Sequence, residues 1–166
     1  MRGLFDLLSA DDLCAKLEHD YGRLSAKPAD VFAAFDFLVT AWHLLEWKYP
    51  PGSTAQKQRE DAKKLHPILG VLEHLAVGGK HFEPRDKKLD SVAGTSRDSF
   101  WTRGFWAPGV WAQGVWKDDL VVELTGNART VFGEKLTIKK IADLSMVFWR
   151  GPGGCPKATG VTGSSM

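Results

Sequence analysis

The stretch ADVFAAFDFLVTAWHLLEWKY, residues 29–49, is apolar around most of a helical circumference and lies between Pro28 and Pro50-Pro51. A helix that is apolar on nearly every side must be wrapped by other elements, because no face of it suits water. Pro28 suits the first turn of such a helix, and the Pro50-Pro51 pair cannot continue it. The chain is therefore predicted to assemble around one buried central helix. At 166 residues it is long enough to do so within one domain, expected over residues 1–150.

The flanking sequence supplies the wrapping elements. Ser9 followed by Asp12 resembles a capping box, and Leu13, Leu17, Tyr21 and Leu24 recur at helical spacing, so a first helix is predicted over 10–24. Ser53 or Thr54 caps a third, whose opening QKQREDAKK is solvated, and Pro67 should kink or split it before ILGVLEHLA resumes an apolar stripe. Gly78-Gly79 weaken helix continuation without forbidding it. EPRDKKLDSVAGTSRDS (83–99) is polar and reads as a loop. LVVEL (120–124), a TGNA turn (125–128) and TVFGEKLTI read as a small antiparallel sheet. KKIADLSMVFW reads as a closing helix with Ile141, Leu144, Val147 and Phe148 inward, and the Gly-, Ser- and Pro-rich tail 151–166 as flexible. The expected class is α+β: an N-terminal antiparallel bundle of three to four helices, a small Trp-rich antiparallel sheet or hairpin, and a C-terminal helix.

Net charge is only +2, so no global basic field argues for nucleic acid, although a local basic patch stays open. No run approaches the roughly 18 apolar residues that span a bilayer, and the N-terminal apolar run is too short for a secretory leader. Cys14 and Cys155 lie far apart and form no CxxC pair, which predicts neither a disulfide scaffold nor a zinc knuckle. No membrane association is expected, and the cytoplasm is the expected compartment.

FWTRGFWAPGVWAQGVW, residues 100–116, sets Trp101, Trp106, Trp111 and Trp116 five apart. That spacing fits no single helix face, and in a straight strand it alternates faces. A turn at Pro108-Gly109 sets Trp106 opposite Trp111 and Trp101 opposite Trp116, with a bulge or wider loop relieving the splay of a type II turn. Two readings follow. The rings cover the helical layer as core, or they form a stacking platform for bases or a flat ligand, helped by Arg103 and Lys117.

Polar residues in apolar places give further candidates. Asp36, Thr40, His43 and Trp47 share one stripe of the central helix. Buried polar groups need partners, so the stripe is either a satisfied core histidine or Asp36 or Thr40 orienting His43 for acid–base work or ligand binding. Lys80-His81 follow a glycine pair that lets the backbone approach something closely, where they meet a phosphate or simply end a helix. HExxH, GxSxG, P-loop and dinucleotide-binding patterns are absent, so no metal site or cofactor is predicted.

AWHLLEW (41–47) and LAVGGKHF (75–82), with DLSMVFW (143–149) downstream, resemble small bacterial and phage proteins bearing AWHL-x-(D/E)W and (I/L)AN-x-x-KHF elements. The helical half of that group is similar, more remotely, to HEPN-type bundles. These are common in toxin–antitoxin and phage-defence systems, and many are metal-independent ribonucleases with an Arg-x(4–6)-His motif. Val77 stands where the group has Asn, and Arg59 and His66 match the Arg-to-His spacing with Pro67 beside them. The resemblance implies a bacterial or phage defence setting, and the missing catalytic signature, the aromatic segment and the tail favour a non-catalytic binding or interaction protein within it. Its ligand would be a protein, RNA or nucleotide, contacted through Asp36, Thr40, Arg103, Trp106, Trp111 and Lys117. The alternative is a HEPN-type ribonuclease using His43, Lys80 and His81. A structural subunit forming a homo-oligomer through its Trp-rich sheet is the third reading.

Overall fold

The central helix forms as its composition requires. In the computed structural model of the chain, Asp30 caps α2 (Val31–Lys48) by accepting from the Phe32 and Ala33 N–H groups at 2.9 and 3.1 Å. Pro28 lies in the preceding turn, outside the helix, because the Asp30 side chain supplies the better cap. The structure describes residues 7–50, 52–81, 89–102, 105–107, 110–112, 115–152 and 154–155, with only the backbone for 80, 81, 100–102, 105–107, 110–112 and 115–117.

α1 (Ala10–Ala26) opens with the expected capping box, Ser9 and Asp12 each satisfying the other's backbone N–H. Pro67 splits the next helical stretch into α3 (Ala55–Leu65) and α4 (Ile68–His81), and α4 runs straight through Gly78-Gly79. The closing helix is α6 (Ile138–Trp149), capped by Thr137. Of the expected inner residues, Ile141 and Phe148 are buried and Leu144 packs against the core, and Val147 alone departs. Ile138, Ile141, Ala142, Met146 and Trp149 are buried, whereas Val147 is 74% exposed. At about 100° per residue Val147 lies opposite Ile138, so it cannot share the face that Trp149 fills.

The largest departure lies between α4 and the tryptophan segment. Instead of a loop, the polar run contributes to β1 (Val92–Thr102), which pairs antiparallel with β4 (Val115–Leu124). Thr95, Ser96 and Arg97 are exposed, so β1 owes its form to the ladder offered by β4 and not to its own apolar pattern. The pairing arithmetic of the pentads holds. Trp101 faces Trp116 in β1–β4, and Trp106 faces Trp111 between β2 (Phe105–Ala107) and β3 (Val110–Ala112). The turn residues and the tryptophan rings lie outside the described residues and side chains, as do the choices between core and platform and about the turn type.

The expected TGNA turn is the start of a short helix, α5 (Gly126–Phe132), with Gly126 at φ 54° where a Cβ would press on the Asp90 carbonyl. Only Lys135–Thr137 of the expected TVFGEKLTI strand forms β5, which pairs with β4 to give the sheet order β1-β4-β5. The class is α+β, with the core between the helical layer and one sheet face. Leu17, Phe37, Leu44, Leu45, Leu72, Val122, Ile141 and Trp149 are among its fully buried side chains.

Cys14 and Cys155 are joined in a disulfide, with Cα atoms 5.9 Å apart despite a sequence separation of 141. That bond corrects the reading of the cysteines, since sequence separation carries no information about spatial approach. It also anchors the first residues of the expected flexible tail, helped by the Lys48 ammonium donating to the Gly154 carbonyl at 2.8 Å. Residues 156–166 lie outside the described residues. Cystines persist in oxidising surroundings and are rare in the cytosol, so this bond and a cytoplasmic location pull in opposite directions. Among the described residues no helix is long and apolar enough to cross a membrane.

Candidate functional site

A groove of about 630 Å³ opens where the helical layer meets the edge of the sheet. Its helical wall is the first turns of α2, with Val31, Ala34, Phe35 and Leu38, and the second half of α4, with His74, Leu75, Gly78 and Gly79. The opposite wall is the consecutive run Val92–Arg97 of β1, and Leu120, Val121 and Ile138 lie beneath. The lining is apolar apart from a few polar groups, and its size falls within the usual range for ligand sites.

Three contacts fix the frame. The Val92 N–H donates to Nδ1 of His74 at 3.2 Å, and the Arg97 guanidinium donates to the Ala29 carbonyl at 3.3 Å. Between them the backbone of Gly79 comes so close to Phe35 that a Cβ would stand 3.0 Å from the ring. So β1 and α4 run side by side in one direction and α2 runs against both. The close approach foreseen at the glycine pair is therefore an approach to Phe35.

His74 is a groove-lining polar residue that sequence reasoning missed. No metal or catalytic spacing surrounds it, and its only signal is its place on the helix one turn before Gly78. Burial holds its pKa below the ordinary histidine value, against a smaller opposing pull from Asp90. With Nδ1 accepting from Val92, the neutral ring carries its proton on Nε2 and presents a donor there. Arg97 adds a cation at the other end, 3.6 Å from Asp118. The N-terminal turns of α2 leave Val31 and Phe35 exposed at the groove, and Phe32 of the same turns is 80% exposed.

The polar stripe on α2 is resolved differently from end to end. Thr40 is buried, accepting from Lys16 at 2.8 Å and donating to Asp20 at 2.7 Å. Asp20, only 2% exposed, also accepts from Lys16 and lies 3.4 Å from Nδ1 of His19. Asp36 pairs with Arg23 at 2.7 Å on the surface. Neither Asp36 nor Thr40 is bonded to His43 among the described residues. His43 is half-exposed, 3.8 Å from Glu46, and Trp47 is on the surface. The stripe thus serves the α1–α2 packing in its middle and meets solvent elsewhere.

Lys80 and His81 form the last turn of α4, just past Gly79, and their side chains lie outside the description. His43 follows Phe35 by eight residues along α2 in the opposite sense, so His43 and His81 stand about 15 Å apart along the bundle. The structure therefore does not bring these two together. Arg59 donates to the Tyr49 carbonyl, while His66 caps α3 with its ring 4.8 Å from Phe148. Trp106 and Trp111 are paired in backbone register and Lys117 faces Phe100, whereas Arg103 lies outside the described residues. Among the described residues no cluster of three His, Cys, Asp or Glu side chains is arranged to hold a metal ion.

Comparison with protein-family models, with curated proteins and with solved structures finds no match to this chain.

Proposed function

We propose that the chain is a non-catalytic binding protein whose site is the groove between α2, α4 and β1, and that its ligand is another protein. The observation that carries this reading is the groove itself, an apolar cleft lined in part by the exposed side chains of Val31 and Phe35. Nucleic acid would need a row of cations along its backbone, and Arg97 is the one charged side chain among the described residues lining the groove. The bacterial or phage defence setting rests on the resemblance of AWHLLEW and LAVGGKHF and belongs to the same proposal. The ribonuclease alternative assigns His43, Lys80 and His81 to one phosphate, and their spacing along the bundle lends that assignment no support.

Titration calorimetry of the full chain with library-selected peptides, a single-stranded RNA oligonucleotide and a panel of nucleotides tests the reading. Stoichiometric peptide binding is expected, weakened at least about tenfold by Phe35→Arg, whose melting temperature is measured alongside because the ring also packs on Gly79, since hot spots are buried aromatic anchors. RNA cleavage in EDTA, or peptide binding indifferent to both Phe35→Arg and Gly94→Trp, overturns it. A Cβ at Gly94 meets nothing within 4 Å, so the backbone there accepts a side chain, and the second variant adds bulk at the groove.

A further inference from the structure

His74 stands on α4 where the helix meets the start of β1, and it lines the groove there. Its Nδ1 accepts the Val92 N–H at 3.2 Å. A backbone N–H can only donate, so this bond exists only while Nδ1 carries no proton. Protonation turns both ring nitrogens into donors, and a donor would then face a donor. The bond is therefore conditional on the charge of the ring. The Arg97–Ala29 contact at the other end of the groove is not, because a guanidinium keeps its protons.

Two features let the start of β1 respond on its own. Pairing with β4 shifts register between Val92 and Gly94, so the regular ladder is already interrupted beside the bond. On its other side the same segment is held by the sheet, with the Ser91 carbonyl accepting from the Thr125 N–H at 3.2 Å. Loss of the His74 bond thus parts α4 from β1 and leaves β1 on its sheet.

The charges around the ring suit a contact that can be switched. Asp90, just before β1, is the carboxylate whose field favours the charged ring, and burial opposes it more strongly. Among the described residues α2, β4 and α6 turn only apolar side chains into the groove, and Asp36 of α2 is paired with Arg23. On α4 itself Glu73 is paired with Lys63, and on α5 Arg129 with Glu134. Arg97 is the remaining charge on the groove. Burial thus sets protonation below the ordinary histidine value of about 6.5, and Asp90 offsets part of that cost.

Resting on the binding reading above, we infer that His74 is a pH-operated latch on the groove. Neutral, the ring holds the start of β1 against α4, and the groove takes its partner. Protonated, it releases Val92 and sets a cation in an apolar cleft, and the partner leaves.

The test uses the full chain and a library-selected peptide free of His, Asp and Glu, so that only the protein titrates. Calorimetry gives Kd from about pH 7.5 to about pH 5, a range that spans a histidine lowered from its ordinary value. Since only the neutral form is competent, Kd should rise about tenfold for each pH unit below the His74 midpoint. Nuclear magnetic resonance of the isotope-labelled chain reads that midpoint from the ring nitrogens, and the Val92 amide should shift with it. His74→Asn offers Val92 an acceptor that does not titrate, so its Kd should lose the slope. A Kd unchanged across the measured midpoint, a slope kept in His74→Asn, or a Val92 amide that ignores the ring overturns the latch. The resonance arm decides even where the variant does not fold. Global unfolding over the same range, seen by circular dichroism, also overturns it, because the release is local. If Kd is flat yet Phe35→Arg weakens binding, the groove reading stands without the latch. Binding indifferent to both Phe35→Arg and Gly94→Trp, or a library that yields no binder, removes both.

Discussion

Replacing Asp20 by Ala removes the acceptor at the centre of a buried network joining α1 to α2. Its carboxylate is 2% exposed and takes hydrogen bonds from Thr40, itself buried, and from Lys16. Hydrogen bonds to a charged group contribute about 1.5–3 kcal/mol, and removing one partner of a buried ion pair costs about 3–5 kcal/mol. The Lys16 side chain is 37% exposed and can turn its ammonium to water, which lowers the second figure. A loss of about 2–4 kcal/mol is therefore expected for Asp20→Ala. For a chain of 166 residues that corresponds to a fall in Tm of roughly 6–12 °C. Thr40→Val should cost about 1–2 kcal/mol, and the double variant should cost less than the sum, since Thr40 has lost its acceptor already in Asp20→Ala. Asp20→Leu with Thr40→Val should recover much of the loss, because it leaves no buried polar atom unpaired at these positions. Urea unfolding followed by circular dichroism measures all four. An Asp20→Ala variant within about 0.5 kcal/mol of the parent, the range of ordinary surface changes, would refute the network's role in joining the helices.

The remaining predictions concern the disulfide, His74 and α6. Chain entropy for a loop of 141 residues sets an upper figure of about 5 kcal/mol for the Cys14–Cys155 link, so Cys155→Ser should lose about 2–5 kcal/mol. Dithiothreitol should then shift the urea midpoint of the parent and leave that of the variant unchanged. His74 is held neutral by burial, so the unfolded chain binds the extra proton more readily as pH falls through the ordinary histidine range. Its contribution to stability is thus complete above about pH 6.5 and is lost below it, and His74→Gln should flatten that part of the pH–stability curve. Val147→Lys should change stability by under about 0.5 kcal/mol, whereas Met146→Lys should cost more than about 3 kcal/mol or prevent folding. Thermal melts of the two separate the buried side of α6 from the exposed side that carries Val147.

Much of the helical half was legible because its signals are local. The Ser9–Asp12 box, the all-round apolar stretch before Pro50-Pro51 and the break at Pro67 each act over one or two turns, and each appears in the structure. Trp pairing about Pro108-Gly109 was legible for the same reason, since register in a hairpin follows from arithmetic once the turn is placed. Tertiary structure alone decided the rest. β1 is polar and has a strand's form only because β4 offers it a ladder. The exposure of Val147 depends on which side Trp149 fills, and the cysteines meet across a sequence separation of 141. His74 acquires meaning only when Val92 and the edge of β1 are brought beside it. Local pattern determines which segments bury themselves, but a groove is made of surfaces from distant segments, and their meeting is written in no single one of them.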